Sequence, residues 1–130
     1  MVDQQNVRAN QMAQDLAASS AIFNDVLLNG VDEDGNEHRL KINGNALIRS
    51  PNGQTLGRHG QNADHVFNVE QVSRMHLRLS VENDKLYVED LGSFNGTKIN
   101  GVEIAQGQPS ALKHNDQLTI GTLVCTVLFL

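Results

Sequence analysis

Arginine, serine and asparagine sit among turn-forming residues at three places between Leu56 and Gly101. The first is Leu56-Gly57-Arg58-His59-Gly60 and the second is Ser73-Arg74-Met75-His76. The third runs Leu91-Gly92-Ser93-Phe94-Asn95-Gly96-Thr97-Lys98-Ile99-Asn100-Gly101. Arg58 carries a permanent charge and a planar fork of donors that matches phosphate or carboxylate. Gly57 and Gly60 on either side let a backbone approach closely. A lone arginine more often pairs with an acid, and the chain holds 15 acidic residues. The Ser73 hydroxyl can satisfy a turn or donate to a phosphate oxygen, and Arg74 adds a second cation. His76 reads as a histidine that hydrogen-bonds neighbouring loops. The Asn95 amide can donate to and accept from a peptide backbone, and Asn95-Gly96 is also a hairpin turn. The chemistry these residues offer is anion and peptide binding on loops.

Short β-like runs must position these loops. From Asp25 onward the chain alternates such runs with turn dipeptides: Asn-Gly at 29-30, 43-44, 52-53, 95-96 and 100-101, and Asp-Gly at 34-35. These pairs tolerate positive φ and favour hairpins, which predicts an all-β sandwich or barrel. Val26 to Val31 and Glu37 to Ile42 form the first predicted hairpin, with an acidic tip at 32–37. That tip is closer to a solvated turn than to a calcium loop, because Gly35 stands at the wrong place for an EF-hand. Ala46 to Arg49 and Gln54 to Gly57 flank a turn at Ser50-Pro51-Asn52-Gly53. Leu77, Leu79 and Val81 alternate on one face, as do Leu86 and Val88. Leu123 to Leu130 is apolar enough to suggest a central strand buried on both sides. No amphipathic helix is expected after residue 22. Residues 1–22 are read as a separate polar tail or short helix, with Met12 and Leu16 a weak stripe. Residues 23–130 are read as one domain.

Composition narrows the function. The net charge of −5 argues against a general nucleic-acid or anionic-membrane binder. An acidic chain can still hold one phosphate where a few arginines converge. The single cysteine, Cys125, excludes an internal disulfide and reads as a buried core residue; a cytoplasmic or nuclear setting fits. The five histidines, His38, His59, His65, His76 and His114, are scattered without metal-ligand spacing, so no metal site is expected. No nucleophile elbow or Walker-type loop appears, and Gly57-Arg58-His59-Gly60 is too short to cradle a nucleotide. No catalytic residue and no enzyme activity are expected.

In order, spacing and residue type, Gly57-Arg58, Ser73-Arg74-Met75-His76 and Asp90 to Gly101 resemble the forkhead-associated (FHA) family. Leu112 to Gly121 is similar to that family's closing segment. The resemblance implies an eleven-stranded β-sandwich that binds phosphothreonine peptides through loops at one end, with no cofactor. It implies that Arg58 grips the phosphate, Ser73 donates its hydroxyl, and Arg74 supplies a backbone N–H and its side chain. Asn95 would hold the peptide main chain, while Gly57, His76 and Gly96 would be structural. Phe94 stands where many members have threonine, and Gln71 where some add an arginine. His59, Phe94 and Lys98 are therefore candidates for supplementary contacts. The implied partner is a protein phosphorylated on threonine by a Ser/Thr kinase, and the chain would be a module of a larger protein or complex. A phosphate-independent interaction scaffold on the same fold is the alternative reading.

Overall fold

The computed structural model describes residues 24–130. The tail or helix expected over 1–22 lies outside the described residues. Eleven strands follow in chain order: β1 (Asp25–Val31), β2 (Glu37–Asn43), β3 (Gln54–Gly57), β4 (His65–Val66), β5 (Leu77–Glu82) and β6 (Lys85–Asp90), then β7 (Thr97–Ile99), β8 (Val102–Glu103), β9 (Ser110–Leu112), β10 (Gln117–Ile120) and β11 (Leu123–Phe129). They make two sheets. One has six strands in the order β2-β1-β11-β10-β7-β8, the other five in the order β4-β3-β5-β6-β9. All pairings are antiparallel except β3 with β4.

Alternation in the sequence drives this arrangement. Val26 and Leu28 on β1, Leu77 and Leu79 on β5, Leu86 and Val88 on β6, and Leu118 and Ile120 on β10 all point into the aliphatic core between the sheets. Phe67, Val69 and Val72 close its end from the loop between β4 and β5. That loop is therefore pinned by apolar burial rather than hanging free.

Three expectations are corrected. The segment Ala46 to Arg49 is not a strand: Gly44–Ile48 forms a short helix, α1, so a helix does follow residue 22. Its N-cap is Asn43, whose side-chain oxygen accepts from the Ala46 N–H at 2.8 Å. Asn43-Gly44 thus starts a helix instead of turning a hairpin, and Leu47 seals α1 onto the core. Asn29-Gly30 lies inside β1, where a Cβ on Gly30 would come within 2.9 Å of Cys125 Sγ and Leu123; this glycine makes room for core side chains. β11 is central but buried on one face only, since Val124 and Thr126 point outward between Leu123, Cys125 and Val127. Its apolar character exceeds what burial requires.

The acidic tip between β1 and β2 is a turn. Asp32 Oδ1 accepts from the Asp34 and Asn36 N–H groups, each at 2.9 Å, and Oδ2 bonds His38 Nε2 at 2.9 Å. The His38 bond leads the causes that bring the Asp32 carboxyl down to about 2. Cys125 is fully buried, and burial pushes its thiol up to about 12. Among the described residues no helix is long and apolar enough to cross a membrane, and no three potential metal ligands converge.

Candidate functional site

The three conspicuous blocks come together at one end of the sandwich. Arg58 follows the last residue of β3, and Ser73 and Arg74 lie just before β5. Phe94 and Asn95 lie in the loop between β6 and β7. Hydrogen bonds spanning some twenty residues of chain lock these loops to one another.

The first lock joins β3 to the β4–β5 loop. His76 N–H donates to the Leu56 carbonyl and Arg58 N–H to the Ser73 carbonyl, both at 2.9 Å. This close approach needs Gly57, because a Cβ there would run into the Arg74 carbonyl. Arg58 Nε donates to the Val72 carbonyl at 3.0 Å, which fixes the guanidinium and leaves its outer nitrogens for another acceptor. The ion pairs among the described residues are His38–Asp32, Lys41–Asp25, His76–Asp90 and Arg78–Glu89, so Arg58 has no carboxylate partner within 4.0 Å there. Among the described residues the default salt bridge of a lone arginine is not made.

His76 supplies the second lock. It is fully buried. Its Nδ1 accepts from the Ser73 N–H at 3.0 Å, so the ring proton sits on Nε2 and donates to the Gly96 carbonyl at 2.9 Å. The imidazole is neutral. Burial above all lowers its pKa below 6.5, against the Gly96 bond and the Asp90 charge, which act the other way. His76 thus ties the serine loop to the asparagine loop.

The third lock is Asp90, at the end of β6 and only 1% exposed. Oδ1 accepts from the Gly92 and Ser93 N–H groups at 2.9 and 2.8 Å. Oδ2 accepts from the Ser93 and Thr97 hydroxyls, both at 2.6 Å. Burial pushes this carboxyl up, but the hydrogen bonds from Ser93, Thr97 and Gly92 outweigh it, and the net pKa is lowered. Ser93 Oγ also accepts from the Gly96 N–H at 2.9 Å. The turn that presents residues 94 and 95 is therefore built on a buried charge.

The candidate binding groups sit on this frame. Ser73 Oγ accepts from the Phe94 N–H at 3.0 Å, leaving its own proton to donate outward. Asn95 Nδ2 donates to the Gln71 carbonyl at 2.9 Å. Its side-chain oxygen and second N–H have no hydrogen-bond partner among the described residues. Arg74 is exposed, and its N–H has no acceptor among the described residues. His59 is exposed in the turn after Arg58, with its carbonyl accepting from Asn62 and Ala63. Lys98 lies outside the loop on β7, opposite Glu103, so its charge faces an acid across the strands. Phe94 is 92% exposed.

Two contributors escape sequence reasoning. In the sequence Asp90 stands only as the first residue of the segment that carries the family resemblance. Gly121, in the turn between β10 and β11, has φ 64° and abuts the Gln71 carbonyl so closely that a Cβ there would collide with it. Its N–H donates to the Gly96 carbonyl at 3.0 Å. The β10–β11 turn thus supports both the Gln71 carbonyl that holds Asn95 and the Gly96 carbonyl that holds His76. In the sequence Gly121 stands only at the end of the closing segment, with nothing to show what it touches.

Comparison with known proteins places this geometry. A model of the FHA domain matches residues 54–121. Protein FraH of Nostoc sp. is 41% identical over 54 residues, which cover 42% of this chain and 19% of FraH. The chain spans less than a quarter of the length of the curated relatives it matches. The FHA domain of the CT664 protein from Chlamydia trachomatis superposes with a TM-score of 0.62 at 26% identity, over 80% of this chain and 96% of that one. A structure solved in work on phosphothreonine-dependent FHA domain interactions superposes with a TM-score of 0.57 at 26% identity, over 80% and 95% of the two chains.

Proposed function

The chain belongs to the FHA domain family, a family of phosphopeptide-binding modules, and we propose that it recognises phosphothreonine in a partner protein through the loops around Arg58. The observation that carries the reading is the state of Arg58: its Nε is tied to the Val72 carbonyl, yet no acid among the described residues neutralises it. A held, unpaired guanidinium is preorganised for an anion.

The phosphate lies against Arg58, takes the Ser73 hydroxyl proton as a hydrogen bond, and meets the Arg74 N–H and side chain. Asn95 reads the peptide main chain beside it. Gly57, His76 and Gly96 hold the loops, with Lys98 contributing weaker long-range attraction that salt screens and His59 a supplementary contact. The partner is a product of a Ser/Thr kinase. No covalent step is involved: the loops bind and orient.

Titration of one peptide in phosphothreonine, phosphoserine and unphosphorylated forms tests this. Binding of the phosphothreonine form alone, or well ahead of the others, is expected. Equal affinity for the phosphorylated and unphosphorylated forms would make the domain a phosphate-independent scaffold instead.

A further inference from the structure

Among the described residues Phe94 is the one large apolar side chain that the site end leaves almost wholly in water, at 92% exposure. Loop mobility does not account for it. Its own N–H is held by Ser73 Oγ, the next side chain is held by the Gln71 carbonyl, and Ser93 on the other side is bonded both to Gly96 and to Asp90. The ring therefore projects from a fixed backbone, between the hydroxyl that faces the phosphate and the amide that faces the peptide chain. A ligand running from Arg58 and Ser73 to Asn95 must pass residue 94.

We infer that Phe94 selects the peptide, by packing on an apolar side chain next to the phosphothreonine. This rests on the phosphothreonine reading above and adds the chemistry of the flanking residue. Burial of an exposed aromatic face on binding is favourable in proportion to the apolar area removed from water. Arg58 and Arg74 also disfavour a basic flanking residue. Threonine at 94 would offer the phosphate a hydroxyl; phenylalanine trades that contact for one with the peptide side chain.

The test is a peptide library with a fixed phosphothreonine and randomised flanks, followed by titration of a matched pair of peptides carrying leucine or alanine at the selected position. Wild type should enrich aliphatic or aromatic residues at one position adjacent to the phosphothreonine. Phe94→Ala should lose about three- to tenfold in affinity for the leucine peptide, the range for an aromatic packing contact, and little for the alanine peptide. Phe94→Leu should keep the preference. Phe94 makes no side-chain contribution to the core, so both variants should melt with the wild type. A flat flanking profile, or equal losses on both peptides, would overturn the inference while leaving phosphothreonine binding intact. Enrichment of arginine or lysine there, as a cation stacked on the ring would produce, would overturn the apolar assignment. Failure of wild type to bind any phosphothreonine peptide would overturn this inference and the proposed function together.

Discussion

Replacing Arg58 by alanine removes a side chain with two separable roles. One is local. The Nε bond to the Val72 carbonyl at 3.0 Å is lost, while the backbone bond from Arg58 N–H to the Ser73 carbonyl survives. A single such bond at a half-buried position is worth about 0.5–1.5 kcal/mol of stability. The other role acts only on binding. A phosphothreonine monoester carries close to two negative charges at neutral pH. Truncating one member of a hydrogen-bonded charge pair costs about 2–5 kcal/mol, roughly 30- to 4,000-fold in Kd. The two effects separate experimentally. Thermal melting should fall by only a few degrees, while fluorescence anisotropy with a labelled phosphothreonine peptide should show binding pushed toward or beyond the measurable limit. Arg58→Lys should lie between, since it keeps the charge but loses both the fork and the Val72 bond. An Arg58→Ala domain that still binds the phosphopeptide within about threefold of wild type would refute the reasoning, because the unpaired guanidinium would then not be the anion's partner.

Ser73→Ala should cost less, about tenfold in affinity, since it removes one charge-assisted hydrogen bond rather than a charge; parallel titrations of the two variants give the order. Asp90→Ala orphans two N–H groups and two hydroxyls in a buried turn, so a loss of about 3–5 kcal/mol is expected in denaturant unfolding; a change below about 1 kcal/mol would mean the turn stands without its anchor. Gly121→Ala must displace the Gln71 carbonyl, and its loss of affinity should largely vanish in an Asn95→Ala background; additive losses would show that the turn does not act through Asn95. Melting should also report pH. His76 is neutral when folded and its pKa is lowered, so its contribution is complete above the ordinary value of 6.5 and is lost as pH falls from there through the folded pKa. Asp90, also lowered, contributes fully above 3.8 and loses that contribution as pH falls through its folded value. A melting temperature that rises on acidification from pH 7 to 5 would contradict the His76 assignment.

The sandwich was legible because alternation and turn chemistry are local. Leu77, Leu79, Leu86 and Val88 declare their faces within a few residues, and Asn52-Gly53, Asn95-Gly96 and Asn100-Gly101 each mark a turn. The errors arose where one signal has two physical uses. Asn43-Gly44 caps a helix as readily as it turns a hairpin, since an asparagine side chain satisfies either backbone. Gly30 answers to the volume of Cys125 and Leu123 across the strand pair, which nothing near it in sequence reveals. The apolar run of β11 exposes Val124 because sequence hydrophobicity does not say which face another layer covers.

The site divides along the same line. Arg58, Ser73, Arg74 and Asn95 were visible because their side chains carry recognisable donors. What holds them was less visible: a carboxylate that only opens the family segment, a glycine whose only feature is a missing Cβ, and main-chain carbonyls at Val72, Gln71 and Gly96. In the proposed binding mode these groups set the affinity. Bonds such as Asn95 to Gln71 and His76 to Gly96 order the loops before any ligand arrives, so the ordering entropy is met during folding and not again on binding. In the proposed binding mode an acidic chain then holds a dianion with few cations, because Arg58 is already fixed by the Val72 carbonyl. It follows that second-layer changes at Asp90 and Gly121 should weaken binding even though neither residue touches the peptide.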